Sequence, residues 1–452
     1  MSVIHSRFQT LRLIASTLAM AWPLPSAFAQ ATLSPQDCIT ETLAKNPDLA
    51  ALQAHVAQTD ADASSADAER RPLLSLGATS QHNTAPVRIR PITANNQAGT
   101  FSEHLWRADL ALEWTLNSGG RLSAAQTARN LLAEAAHADL HFFQQRLATR
   151  VAQFYFKLSA QDALVASIEK SLESLRQQET RIGQLLAEGK AAEVDRMRVQ
   201  VQAAGVQQRL IESRNLRSTL HATLNLLMDR PLDDPWQPEP VLEKHSAAPP
   251  LVEADLPASV TDRGDLEAAH LRESATARRI DEAKAARRPQ VKALAAWGPR
   301  GDWEGRENYE TGFIGLSANW SLWDGGRAKA RLLAALQENA AATAQERSLQ
   351  NQRQLEIDNA QRDLRAALES LDVSRLARST ASESLRIERR KYEQGSGAIV
   401  DVLDAEAASL ESESLYRRAQ ANLLTSQVAL DLALGRVFTA QATCTCLRQT
   451  NN

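Results

Sequence analysis

Cysteine is nearly missing: three residues in 452, with Cys38 alone near the start and Cys444 and Cys446 close together near the end. That rules out a disulfide-dense scaffold, and with no histidine cluster beside the pair it falls short of the roughly four ligands a structural metal site takes. A disulfide to Cys38 is the alternative to the plainer and preferred reading, surface thiols without function. Nowhere does an apolar run reach the roughly 20 residues of a membrane-crossing helix. The net charge of −3 argues against nucleic acid as a partner. There is no G-x-x-x-x-G-K-[ST] loop, so the chain cannot hydrolyse ATP itself. His-Glu-x-x-His, Gly-x-Ser-x-Gly and Cys-x-x-Cys are missing too, and the nine histidines are scattered. No catalytic residue, cofactor or metal is expected, and the chain does not read as an enzyme.

What is present begins with a secretory signal over residues 1–29. Arg7 and Arg12 precede a short apolar run from Leu13 to Ala21, and Ala27-Phe28-Ala29 supplies small residues for cleavage. No cysteine follows that site, so no lipoprotein anchor is expected.

The chain is then written twice. Asn46-Pro47-Asp48-Leu49 returns as Arg263-Gly264-Asp265-Leu266, and Arg70-Arg71-Pro72 as Arg287-Arg288-Pro289. Trp114-Thr115-Leu116-Asn117-Ser118-Gly119-Gly120-Arg121 returns as Trp320-Ser321-Leu322-Trp323-Asp324-Gly325-Gly326-Arg327. The offset is about 217 residues for the first pairs and about 206 afterwards, too long for a solenoid unit, so the chain has two equivalent halves. A stretch rich in proline, from Pro231 to Pro257, lies between them and reads as an extended linker over 229–261.

Alanine, glutamine, arginine and glutamate dominate, and aromatics make up 5%, the composition of long helices. Residues 121–188 and 327–394 contain no proline and predict helices over 120–188 and 326–394, each about 100 Å long. Their narrow apolar stripe, as in Leu158, Leu164, Ile168, Leu172 and Leu175, requires coiled-coil packing against another helix. The partners are return helices over 191–228 and 399–434. Gly189 and Gly395 stand at the hairpin tips, where a helix end tolerates positive φ. Further helices are expected over 34–70 and 262–287.

Between these helices the period drops to two, giving strands at about 73–82, 104–116, 290–298 and 311–323. In the second of these, Trp106, Ala108, Leu110, Leu112, Trp114 and Leu116 share one face, and Arg107, Asp109 and Glu113 the other. Trp106, Trp114, Trp297 and Trp320 predict an aromatic girdle around an apolar band of membrane height. Four strands cannot close a barrel, and hydrocarbon tolerates no open edge, so the chain must oligomerise.

These residues resemble the TolC family of outer-membrane export ducts, the most specific stretch being Tyr392-Glu393-Gln394-Gly395 through Ile399-Val400-Asp401-Val402-Leu403-Asp404-Ala405. The similarity covers about residues 33–437. It implies a mainly α fold with a small β part. Three chains would form a helical barrel crossing the periplasm and a 12-stranded outer-membrane barrel with four strands per chain. An equatorial belt would come partly from the linker and the C-terminal segment, leaving 436–452 as a tail. It also implies a periplasmic adaptor (membrane fusion) protein and an inner-membrane ABC or proton-driven transporter as partners, with outer-membrane lipid around the barrel.

Asp401 and Asp404 share a face near a helix start, with Asp195 matching Asp401 in the first half. Facing a lumen, they would stack carboxylate rings that favour cations; as acids in a first helical turn they would instead stabilise the helix dipole. The resemblance implies the lumen-facing role for Asp404, and a tie between Tyr392 and an acid like Asp195. Plain packing is the alternative for Tyr392. Its first-half counterpart is Leu186, and Gly397 stands where some members carry a basic residue, leaving Lys190 or Arg196 as candidate cations across the tips. Gly189, Tyr392, Gly395 and Gly397 are the expected adaptor-facing tip residues.

The sequence therefore predicts an outer-membrane exit duct in a Gram-negative bacterium. Its cargo reading leans to type I secretion of a protein such as an RTX-type toxin, with multidrug or small-molecule efflux as the alternative. A periplasmic coiled-coil scaffold or chaperone is the alternative of another class, but it gives no reason for tryptophan-bounded strands. An adhesin using Arg300-Gly301-Asp302 would not need helices of such length.

Overall fold

The computed structural model describes residues 32–89, 100–244 and 263–436. The signal segment 1–29, Cys444, Cys446, the later linker and the tail beyond 436 lie outside these. The elements run in chain order: β1 (Thr32–Leu33), α1 (Pro35–Lys45), α2 (Pro47–Ala68), β2 (Leu73–Arg88), β3 (Phe101–Asn117), α3 (Arg121–Ala187) and α4 (Glu193–Leu227). Then come β4 (Gln237–Pro238), α5 (Val241–Lys244), α6 (Gly264–Ala285), β5 (Gln290–Asp302), β6 (Asn308–Asn319), α7 (Arg327–Glu393) and α8 (Ile399–Ala433).

The two halves match element for element: α3 and α7 are each 67 residues long, and α4 and α8 are each 35. At 1.5 Å per residue the long helices extend about 100 Å. Near the sheet, α3 packs between α2 and α6, and farther along between α4 and α8. A tandem glycine turn joins strand to helix in each half, with φ of 68° and 92° at Gly119 and Gly120 and of 68° and 91° at Gly325 and Gly326. Both residues of each pair take the left-handed conformation that only glycine adopts without cost.

The helix expected over 34–70 is two helices. The Asn46 side chain accepts from the Leu49 N–H at 3.1 Å and starts α2, with Pro47 in its first turn. Proline fits there because the first-turn N–H has no intrahelical acceptor. The strands also differ from their expected ends. β2 reaches Arg88 because β3 pairs with it past a register shift between His82 and Val87. The strand expected over 311–323 stops at Asn319, opposite Gln290, where its partner β5 begins.

The sheet is antiparallel in the order β2-β3-β5-β6. Its register lines up Leu74, Leu112 and Ala295, and likewise Trp114, Ala293 and Leu316, across the strands. This face is uncovered: Leu76 is 79% exposed and Ile314 91%. The opposite face carries ion pairs: Lys292 with Glu113 at 2.6 Å and Arg300 with Asp109 at 3.5 Å across β5 and β3, and Arg107 with Asp109 at 3.5 Å along β3. Apolar outside and ionic inside is the arrangement of an outer-membrane barrel wall. Trp114 and Trp320 stand at equivalent places, and their indoles donate to the carbonyls of Arg70 (3.1 Å) and Arg287 (3.0 Å). Trp106 donates to the Asp302 carbonyl at the other end. Trp297 departs from the girdle pattern. It pairs with Leu110, midway between Trp106 and Trp114, and its ring lies over Gly312, where a Cβ would meet it at 3.1 Å. Among the described residues no helix is long and apolar enough to cross a membrane.

The largest core lies at the middle of α3. Buried Tyr155 donates to the Leu33 carbonyl at 2.7 Å and accepts from the Glu239 N–H at 2.8 Å, fixing the parallel pair β1 and β4 against the helix. Trp236 donates to buried Asn225, whose amide reaches the carbonyls of Leu232 and Asp234. The early linker is thus a belt clasped to the helices. Cys38 is not a surface thiol; it is fully buried in this core and free, and burial pushes its thiol up to about 12.

Candidate functional site at the hairpin tips

Both hairpins turn in the same way. After α3 the Lys190 N–H donates to the Leu185 carbonyl at 2.8 Å, and after α7 the Ser396 N–H donates to the Lys391 carbonyl at 3.0 Å. Gly189 (φ 71°) and Gly395 (φ 74°) take the left-handed position that this helix ending requires. Gly397 is confined instead: a Cβ there would meet the Lys391 Cβ at 3.0 Å and the Tyr392 nitrogen at 3.1 Å. The turn folds back onto the end of α7, which gives a steric reason for glycine at this place.

Below the turns the two hairpins share one core, with Ile182, Val199, Ile399, Val402 and Leu403 buried and Tyr392 packed against them. Burial, and after it the nearby Asp195 carboxylate, raises the Tyr392 phenol above its ordinary value. The structure therefore brings Tyr392 of α7 near Asp195 of α4, and Tyr392 also packs. Asp195 lies within 3.8 Å of Arg198 on its own helix.

Asp401 and Asp404 sit on the face of α8 opposite buried Val402, Leu403, Ala405 and Glu406, and both are exposed. Neither has an ion pair among the described residues. The candidate cross-tip cations are engaged locally, Lys190 with Glu188 at 2.9 Å and Arg196 with Glu193 at 2.5 Å. The ion pair that does join the hairpins is Arg181 of α3 with Glu393 of α7, at 3.5 Å.

A second junction was invisible in the sequence. Glu406 of α8 is 5% exposed and pairs with Arg389 of α7. Ser171 of α3 donates to Glu406 at 3.0 Å, and Arg389 donates to Ser174 of α3 at 2.8 Å. Two charged groups and two hydroxyls thus join three helices. The only signal in the sequence is an acid one residue after Ala405, among apolar neighbours.

A family model described as outer membrane efflux protein matches residues 38–229 and 259–436. Among solved structures, the outer membrane protein VceC from Vibrio cholerae superposes with a TM-score of 0.72 at 20% identity, covering 90% of this chain and 97% of that one. The Campylobacter jejuni CmeC outer membrane channel gives 0.77 at 15%, covering 92% and 89%. The open-state Neisseria gonorrhoeae MtrE outer membrane channel gives 0.71 at 18%, covering 89% of each. The comparison with curated proteins gave no match.

Proposed function

The chain belongs to the outer membrane efflux protein family, and from that premise we propose that its trimer is a duct gated by carboxylates at the hairpin tips and carrying small molecules. Family members are non-enzymatic outer-membrane channels, homotrimers that work with adaptor proteins and inner-membrane transporters. The TolC-like fold spans both repeats.

The observation that carries the gate is the exposed, unpaired state of Asp401 and Asp404 above a buried apolar face. An acid kept only for the helix dipole belongs in the first turn; Asp404 lies beyond it. Three-fold repetition places such acids in rings, and carboxylate rings at a constriction favour cations and hold polyvalent ones. In a planar bilayer the purified trimer is expected to pass a small cation-preferring current that a trivalent cation blocks. Asp401→Ala with Asp404→Ala should abolish the block. Current without block in the unaltered trimer would discard the carboxylate gate.

The family description supports efflux as the cargo reading. Type I secretion of a protein such as an RTX-type toxin is the other use of such a duct, with an ABC or a proton-driven transporter at the inner membrane. Deleting the gene separates them: retained dye and raised drug sensitivity mark efflux, and loss of one secreted protein from the medium marks secretion.

A further inference from the structure

Helices α6 and α7 bring together His270, Glu273 and Glu346, each offering one ligand atom within 4.8 Å of the others. We propose that these residues bind a divalent first-row transition ion, Zn²⁺ foremost, on the sheet side of the equator and away from the tip acids. His270 Nδ1 lies 3.5 Å from Glu346 Oε1. Two ligands on a tetrahedral Zn²⁺, each at about 2.1 Å, stand about 3.4 Å apart. His270 and Glu273 are one turn apart on α6, and Glu346 faces them from α7, so three ligands come from two packed elements and further coordination positions stay open for water. One imidazole with two carboxylates suits zinc-like ions; Mg²⁺ and Ca²⁺ take oxygen ligands.

Supporting groups hold both carboxylates. Asn339 donates to Glu273 Oε1 at 3.2 Å and is itself fixed by Thr276 Oγ1 at 3.0 Å and the Glu273 carbonyl at 3.3 Å. Gln350 donates to Glu346 at 3.3 Å. Such outer contacts orient metal ligands.

The internal repeat supplies an independent argument. Because α2 matches α6 and α3 matches α7 end to end, the first-half equivalents of His270, Glu273, Glu346 and Asn339 are Gln53, Val56, Leu140 and Ala133. There Val56 and Ala133 are buried, so ordinary apolar packing serves the same helix pairing. The second half has given up that contact for three ligands and the amide that positions one of them. Two carboxylates held this close repel each other, and a dication between them reverses the sign of that interaction.

The test is equilibrium dialysis of the purified trimer against Zn²⁺, with Mg²⁺ as control, followed by elemental analysis. His270→Gln and Glu346→Leu restore the residues of the first half, so the helix pairing is kept, and size-exclusion chromatography verifies the trimer. About one Zn²⁺ per chain more is expected in the unaltered protein than in either variant, with affinity at the difference site falling about tenfold or more. Zn²⁺ should also raise the unfolding temperature of the unaltered trimer and not of the variants, since a ligand of the folded state stabilises it. Asp401→Ala with Asp404→Ala should leave the difference intact. Equal Zn²⁺ content in the unaltered protein and His270→Gln, or equal uptake of Mg²⁺, would overturn the proposal.

Discussion

Arg389 and Glu406 form an ion pair inside the second hairpin whose two free sides are taken by Ser174 and Ser171 of the first. Any motion that separates the hairpins must break the two serine bonds and strip this pair of its outer partners. Arg389→Ala leaves buried Glu406 with one hydroxyl for a partner and is expected to cost about 2 kcal/mol. That is below the roughly 3–5 kcal/mol of a fully enclosed pair, since Arg389 is 38% exposed and water screens part of the charge. The resting conductance should rise with it, and Glu406→Gln should do less of both. Thermal unfolding and single-channel recording of the same preparations check the two effects together.

The indole bonds of Trp114 and Trp320 are the same bond made twice, to Arg70 and Arg287. Trp114→Phe and Trp320→Phe keep the ring in place and remove the donor. Each should cost about 1 kcal/mol, the net worth of one hydrogen bond. Because the halves are equivalent, the two shifts in unfolding temperature should agree; a loss confined to one would mean that the carbonyl partner of the other is satisfied otherwise.

Gly326 and Gly205 should respond to a methyl group in opposite ways. Gly326 has φ of 91°, so Gly326→Ala should cost about 1–2 kcal/mol through left-handed strain. Gly205 lies within α4 with open space around it, and Gly205→Ala should gain about 1 kcal/mol from helix propensity. Unfolding curves of the two variants should move in opposite directions.

Arg230 donates twice to Glu41, at 2.8 and 2.5 Å, and this bonding first of all holds the Glu41 carboxyl down to about 2 from 4.5. A folded value below the unfolded one means that the unfolded chain takes up the proton first. The stabilisation is therefore complete above about pH 5 and lost as the pH falls towards 2. The stability gap between the unaltered protein and Glu41→Gln should shrink across that window, as acid titration of thermal unfolding would read.

Much of this architecture was legible because its signals are local. Runs without proline gave the long helices, and period-two alternation gave the strands with their lipid face. Even the break at Asn46 was readable, since a capping asparagine followed by proline is a helix start; the apolar pattern running through it hid the signal. Strand ends were less legible because a strand stops where its neighbour stops, as Asn319 does opposite Gln290. The Glu406 junction was not legible at all. Its partners come from helices hundreds of residues apart in sequence, and only packing decides that Ser171 meets Glu406. The three-residue ligand set on α6 and α7 likewise looks like scattered charge until the helices are laid side by side.

The sheet has two outer strands, β2 and β6, and neither closes on the other within the chain. In hydrocarbon each would carry a row of amides and carbonyls with no water to satisfy them. A single copy is therefore a substrate for assembly rather than a membrane protein, and entry into the bilayer is a reaction of several chains at once. Its rate must climb steeply with the supply of free copies, and at low supply the limiting event is one chain meeting another, not the folding of any one of them. A fragment ending in β2 or β6 that completes a seam without leading into the next helix would stop that growth, so a strand-length peptide copied from either edge should act as a chain terminator of barrel formation.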